Sequence, residues 1–507
     1  MRTLLTLLLA APCLTAATPC ANLALLTLPH TRITAANPLP AGALTLPNGR
    51  SIPNLPALCR ITATLTPSPD SYIQVEVWLP TAWNSQFLGV GNGGFAGAIS
   101  YSGLAEAVRH GYATASTDTG HQGGGTDASW ALQHPEKITD FGHRAIHEMT
   151  VQAKALLTAH YGAPPRRSYF SSCSNGGRQA LMEAQRYPAD YDGILAGAPA
   201  NAWTALMTNA ARALQATGGD PANYIPAAKL PAIQAAVLAA CDPADGVKDG
   251  VLENPAACRF DPASLRCPGA DAPNCLTPPQ VSALNALYAP LRSPQGKPLF
   301  PGYSPSGEAE TGGWASWITG AQPAAGTLYA LSSNFFRYMV HSDPAWTIDR
   351  FDLARDLPAA RKLAPVLDAT NPDLRAFHDR GGKLILYHGW CDAAIPAQYA
   401  IDYYQSVVRQ MGAPKARQFV RLFMAPGVQH CGGGAGPHTF GQAGAPQGDP
   451  ASNIAAALVR WVEQGTAPER LIATRPGRNR PLCAYPQVAR YRGAGSTDDA
   501  ANFDCAR

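Results

Sequence analysis

Tyr169-Phe170-Ser171-Ser172-Cys173-Ser174-Asn175-Gly176-Gly177-Arg178 decides how this chain is read. Arg167 to Ser171 reads as a short strand, and Arg178 to Tyr187 is rich in helix formers and stops at Pro188. Ser174 therefore falls on the turn between strand and helix. A serine there projects its hydroxyl beyond a sheet edge, and Gly176 and Gly177 let the helix fold back closely, as in a G-x-S-x-G nucleophile turn. Ser172 stands where that pattern has its first glycine. Taken alone, the decapeptide reads equally well as a Ser/Gly-rich surface loop.

The rest of the chain narrows the choice. Its 507 residues are 46% hydrophobic, enough for one large domain with an insertion, or for two to three domains. A net charge of +4 with 15% charged residues offers neither a basic stripe for nucleic acid nor a polybasic segment for a membrane surface. Met1-Arg2, the apolar run Leu4 to Ala11 and the small residues Ala16-Ala17 predict a secretory signal peptide over residues 1–17. The mature chain is then expected to be secreted or periplasmic. No later run reads as long and apolar enough to cross a membrane.

Export permits disulfides. Loss of Cys13 with the signal leaves eleven of the 12 cysteines, so one stays unpaired. Closeness in sequence pairs Cys20 with Cys59, Cys241 with Cys258, Cys267 with Cys275, and Cys483 with Cys505. Cys173, Cys391 and Cys431 remain.

Strand-like runs recur at 72–79, 87–90, 112–117 and 193–197, with helical spacing over Phe141 to His160. From about 70 to 200 this is the order of an α/β sheet with crossover helices. The run 87–90 leads into Gly91-Asn92-Gly93-Gly94-Phe95-Ala96-Gly97, a loop suited to presenting backbone N–H groups to a developing oxyanion. No Gly-Lys-Ser/Thr follows, which counts against a phosphate loop. Residues 201–375 change character to loops, prolines and aromatics (Trp203, Trp314, Trp317, Phe335, Phe336, Tyr338, Trp346), an insertion whose aromatics line a pocket or form a core. The sheet resumes at 383–389, followed by a helix over Ala397 to Met411, a strand at 419–424 and a last helix over Ala451 to Glu463.

Nucleophilic catalysis by serine needs a base for the hydroxyl proton and a carboxylate to orient that base, here in the order Ser, Asp, His. Asp392 follows the strand ending at Gly389, and His430 follows the strand ending at Met424, which puts both at the sheet edge that carries Ser174. His388 and His438 are the rival bases. Cys173 precedes the serine and Cys431 follows the histidine, so a Cys173–Cys431 bond would tie nucleophile to base across a very long loop. The alternative is Cys173 as a thiol nucleophile. Cys391 is then the odd thiol.

Cys173-Ser174, Asp392 and His430-Cys431 resemble the tannase and feruloyl esterase family, which includes mono(2-hydroxyethyl) terephthalate hydrolase. The resemblance extends to Gly91–Phe95, Ser116–His121, Tyr191–Ile194 and Gly197–Pro199 and covers nearly the whole mature chain; Ser172 and Cys391 depart from it. It implies an α/β-hydrolase fold with a catalytic domain over 18–200 and 376–507 and a lid over 201–375. It implies five disulfides paired as above, and an oxyanion hole from the backbone of Gly93, Gly94 and Asn175. It also implies hydrolysis of small aromatic, mostly phenolic, esters of feruloyl, tannase or terephthalate type, without nucleic-acid or membrane partners. A polyphenol- or carbohydrate-binding module on an idle hydrolase fold is the reading from a different class, and the intact triad counts against it; a secreted peptidase is a third. Arg337 is a candidate partner for a substrate carboxylate or for an ordinary lid ion pair. The lid segment Cys241–Val251 sets Asp242, Asp245 and Asp249 close together, an oxygen-only set that suits calcium with the carbonyls of Val247 and Val251. Two Asp-Gly turns without metal are the other reading; the family's lid calcium favours the ion, in a structural role.

Overall fold

The computed structural model describes residues 17–507 except 47, 48, 219 and 294. The expected signal peptide, apart from Ala17, and Cys13 lie outside the described residues. One sheet of nine strands dominates: β1 (Thr31–Leu39), β2 (Leu58–Leu65), β3 (Ile73–Pro80), β4 (Gln86–Val90), β5 (Ala113–Thr117), β6 (Arg167–Cys173), β7 (Gly193–Gly197), β8 (Lys383–Gly389) and β9 (Val420–Ala425). Their spatial order is β1-β2-β3-β5-β4-β6-β7-β8-β9. The pairings β1–β2, β2–β3 and β3–β5 are antiparallel, and every pairing from β5 onward is parallel. This order, with its one exchange of β4 and β5 and helices on both faces, is that of an α/β hydrolase.

The parallel strands are apolar on both faces because both are covered. Phe170, Leu384 and Leu386 join one core with Met149, Leu181 and Val407 from the helices Ala145–Tyr161, Asn175–Arg186 and Gln398–Met411. Tyr169, Ile385, Tyr387 and Phe423 point the other way, onto Leu458 and Trp461 of the helix Ile454–Gln464. The helix expected over Phe141 to His160 is interrupted: Asp140–Arg144 form a wider π turn before Ala145–Tyr161.

Between β7 and β8 run the helices Trp203–Gly218, Leu230–Cys241, Pro278–Tyr288, Thr327–Asn334 and Leu353–Arg361. Their core (Met207, Leu284, Trp314, Phe335, Phe336, Phe351) is continuous with Phe95, Phe141 and Ala393–Ile395 of the sheet-edge loops. The lid insertion thus shares its hydrophobic interior with the loops beneath it.

One expectation is corrected. Pro221–Asp245 contains an 18-residue stretch with a mean hydropathy of 1.3, long and apolar enough by length and composition to cross a membrane. Two 3-10 turns precede the regular helix Leu230–Cys241, whose 12 residues fall short of the roughly 20 that a bilayer needs. Five disulfides join Cys20–Cys59, Cys173–Cys431, Cys241–Cys258, Cys267–Cys275 and Cys483–Cys505, and Cys391 is free and buried.

The helix after β6 packs so close to β7 that a Cβ on Gly177 would collide with the carbonyl oxygen of Gly197 and lie 2.9 Å from Pro199 Cα. Both neighbours are backbone. Gly177→Ala is therefore expected to cost roughly 1–3 kcal/mol, measured as a lower Tm in calorimetry.

Candidate active site

The C-terminal ends of β6, β8 and β9 bring Ser174, Asp392 and His430 together. Ser174 adopts φ 68°, ψ −126° at the start of the Asn175–Arg186 helix, a conformation that L-residues resist. Its Oγ lies 2.9 Å from His430 Nε2, and His430 Nδ1 lies 2.8 Å from Asp392 Oδ2. With Nδ1–H donating to the carboxylate, Nε2 turns its lone pair to the serine hydroxyl. Asp392 Oδ1 accepts the N–H groups of Ala394 and Ile395 at 2.8 and 2.9 Å. Burial opposes ionisation of Asp392, but the imidazoles of His430 and His388 override it and hold the carboxyl well below the usual carboxylate range. Of the rival bases, His388 sits behind Asp392, its Nε2 3.1 Å from Oδ2, and His438 donates to Gly436 O at 3.0 Å. His430 is the histidine that bridges serine and carboxylate.

The Cys173–Cys431 bond joins the neighbours of Ser174 and His430 across 258 residues, with Cα atoms 6.0 Å apart. In the chain-entropy model a loop of that size is worth roughly 5 kcal/mol. The bond also consumes the Cys173 thiol, which removes it as a nucleophile. Burial pushes the Cys391 thiol up to about 12, so it stays protonated beside Ser306.

Ser172, in place of the expected glycine, is accommodated by its neighbours. A Cβ on Gly176 would run into Ser172 Oγ, and one on Gly91 would come within 2.9 Å of it. The hydroxymethyl group fills the notch that these two glycines leave open.

The glycine loop after β4 is clasped to the nucleophile helix. Gln179 accepts the Asn92 N–H at 3.1 Å and donates to Asn92 Oδ1 at 2.7 Å, while Asn92 Nδ2 donates to Thr117 O at 2.5 Å. His121 Nε2–H donates to Phe95 O at 2.7 Å, and burial lowers this imidazole to about 4, keeping it neutral. Gly94 (φ 56°) lines the pocket beside Ser174, and a Cβ there would collide with Gly125 O. Asn175 is the first residue of its helix, where backbone N–H groups lack intrahelical acceptors. Gly93 O accepts the Ala96 N–H at 2.9 Å, which makes Gly93 the bend of the loop. Gln179 escaped the sequence reading, while Asn92 and His121 fell within stretches it singled out without assigning them a role.

Above Ser174 and His430 lies a cavity of about 230 Å³, roofed by the lid. Its wall is Trp203, Leu206, Met207, Trp317, Leu328, Leu331 and Ile395, with Thr126 and Thr327 as its hydroxyls and no Asp, Glu, Lys or Arg among the described residues. The Trp317 ring stands edge-on to His430 with centroids 5.0 Å apart. Arg337 is not in this wall: its Nε donates to Trp346 O at 3.0 Å.

The lid carboxylates hold a loop together. Asp242 accepts the Gly250 N–H (3.0 Å), Asp245 that of Val247 (2.9 Å), and Asp249 that of Val251 (3.1 Å); Asp249 also pairs with Arg480. Asp245, Val247, Asp249 and Val251 line one small cavity together with Glu253, a residue the sequence reading did not include; Asp242 lies outside its wall. Burial, reinforced by Asp245 and Asp249, pushes Glu253 up to about 8. A separate cluster of His147, Glu183 and Asp190 has its donor atoms within 4.8 Å of one another, a set capable of coordinating a divalent ion. Glu183 is fully buried there, and burial and Asp190 push its carboxyl well above the usual range.

A mixed sheet whose parallel half carries a strained serine after β6, with a histidine and a carboxylate at neighbouring strand ends, defines an α/β-hydrolase-fold serine hydrolase. Residues 59–506 match the family model "Tannase and feruloyl esterase", and the chain belongs to that family. It is an ester-hydrolysing enzyme. An uncharacterised esterase of Xanthomonas campestris pv. campestris is 43% identical over 97% of this chain and 91% of its own length. A probable feruloyl esterase B-2 of Aspergillus terreus is 34% identical over 88% of this chain and 86% of its own. The crystal structure of feruloyl esterase B from Aspergillus oryzae superposes with a TM-score of 0.89 at 30% identity, covering 96% of this chain and 99% of that one.

Gln179→Leu cuts the clasp on the glycine loop without touching the pocket wall. Steady-state kinetics on the variant are expected to show kcat lower by about 10- to 100-fold, with KM changed far less.

Proposed function

We propose that this chain is a secreted serine esterase that hydrolyses esters of aromatic, feruloyl-type carboxylic acids through an acyl-enzyme. The observation that carries the reading is the Ser174–His430–Asp392 chain of hydrogen bonds opening directly onto an apolar cavity. Ser174 Oγ attacks the ester carbonyl as His430 Nε2 takes its proton, and Asp392 holds the imidazole and stabilises the imidazolium that forms. The developing oxyanion is received by backbone N–H groups of the Gly93-Gly94 bend and of Asn175, whose helix N-terminus adds a favourable dipole. His430 passes its proton to the departing alcohol, and water then cleaves the acyl-enzyme by the same steps in reverse roles.

The wall favours one acyl group over the others. A terephthalate monoester would bury its free carboxylate without a cationic partner, and a galloyl ring would bring three hydroxyls to a surface with two threonines. A methoxylated cinnamoyl ring has less to desolvate. Feruloyl esters therefore rank first, with gallate and mono(2-hydroxyethyl) terephthalate behind.

We also assign the lid loop to a structural calcium ion. Asp245 and Asp249 with the carbonyls of Val247 and Val251 would hold it from one cavity, where the buried Glu253 adds an oxygen donor of the right kind, and Asp242 would have to turn in from beside it. When bound, the ion would neutralise crowded carboxylates and brace the lid loop.

Product release from methyl ferulate, methyl gallate and mono(2-hydroxyethyl) terephthalate, followed by chromatography, tests the reading. Ferulate is expected to be turned over fastest, and Ser174→Ala to lose at least about 1,000-fold; a Ser174→Ala protein as active as wild type would refute it. For the ion, calcium added to chelator-treated protein is expected to raise Tm by a few degrees, as any native-state ligand does, and Asp245→Asn is expected to abolish the rise.

A further inference from the structure

We infer that His388 is a positioning residue of the active site, whose Nε2–H shares Asp392 Oδ2 with His430 and keeps that carboxylate aimed at the base. The inference rests on the serine-esterase reading above. His388 is the penultimate residue of β8 and is fully buried. Its Nε2 lies 3.1 Å from Asp392 Oδ2 and 3.0 Å from Ile395 O. Both are acceptors, so Nε2 carries the proton; its hydrogen bond runs to Ile395 O, and Oδ2 is the charged oxygen within reach of the same N–H. Nδ1 has no partner among the described residues, which leaves the ring held through Nε2.

Asp392 thereby accepts three N–H groups, Ala394 and Ile395 on Oδ1 and His430 on Oδ2, and His388 Nε2 stands 3.1 Å from that second oxygen. The two backbone donors orient one oxygen. His388 traps the other against His430 and, because Ile395 serves both sides of the carboxylate, ties the turn after β8 into one unit. Its N–H also makes Oδ2 less basic, so the proton shared with His430 remains on Nδ1. The other titratable groups near the carboxylate are Tyr303 from the lid, Tyr387 from β8 and Cys391 in the adjoining turn. Burial raises all three, which keeps them neutral and leaves the electrostatic adjustment of Asp392 to the two histidines.

The test compares His388→Gln, which retains an N–H donor near the Nε2 position, with His388→Met, which fills the space without one. Methionine is expected to lower kcat by about 10- to 100-fold with KM changed less than about threefold. It should also move the acid limb of the kcat/KM profile to higher pH, because a more basic Oδ2 holds the imidazolium proton of the base more tightly. Glutamine is expected to recover most of kcat and return the limb toward wild type. Unchanged kcat in the methionine variant, or equal losses in both variants with an unmoved limb, overturns the assignment. Should methionine prevent folding, the wild type's downfield imidazole N–H resonances decide: a His388 signal that shifts with the midpoint of His430 supports the shared oxygen, and one that ignores it refutes it. Wild-type turnover is the control on the underlying reading. An inactive wild type fails that reading, whereas an active wild type indifferent to the methionine variant fails only the role of His388.

Discussion

Everything at this site depends on Ser174 being held at φ 68°, ψ −126°, a conformation that costs on the order of 1–3 kcal/mol. The surroundings over-determine it. Ser174 N–H donates to Gly197 O at 2.9 Å, and Ser174 O accepts from Arg178 and Ala200 N–H, both at 3.1 Å. The close approach of Gly177 to β7 brings those partners within reach, and the Cys173–Cys431 bond pins the turn from the other side. Strain in the nucleophile is thus balanced by backbone hydrogen bonds and close packing, which explains why Gly177 admits no Cβ against the backbone of Gly197 and Pro199.

Sheet and lid divide the remaining work. The strand ends supply polar chemistry, and the lid supplies an apolar roof. Arg178 couples the two. Its guanidinium, fully buried, donates to Asn175 Oδ1, Gly142 O, Phe141 O and Leu367 O and packs 4.6 Å from the Phe141 ring and 5.3 Å from the Trp203 ring. Burial lowers it to about 9, the cost of placing a cation where four carbonyl-type acceptors need a donor. One end of this side chain steadies a residue beside the nucleophile, and its face supports a wall of the acyl cavity.

The sequence made the parallel half of the sheet legible because β7 and β8 are short apolar runs bounded by glycine or aspartate, and β6 leads directly into the Ser174 turn. Observed bounds coincide with the expected ones for β7 and β8, and β6 runs two residues further, to Cys173. Ser174, Asp392 and His430 could be singled out because chain order and strand ends constrain them jointly. The antiparallel β1 and β2 were missed: Thr31–Leu39 and Leu58–Leu65 are rich in threonine and alanine, and β1 includes a proline. The hairpin Arg470–Arg475 with Arg478–Cys483 carries four arginines that obscured its pattern. Gln179 and Arg178 were invisible as site residues because polar side chains in a first helical turn ordinarily face water. Among the insertion's aromatics, Trp314 is core and Trp317 faces His430, a distinction that only the lid's packing makes.

The central claim, that Ser174 carries the acyl group, is tested most directly by quenching the enzyme during turnover of a feruloyl ester and weighing the intact protein. The account predicts one acyl adduct per chain, mapped to the peptide containing Ser174 and absent from the Ser174→Ala variant. An adduct mapped to another residue, or turnover that persists in that variant, would contradict it.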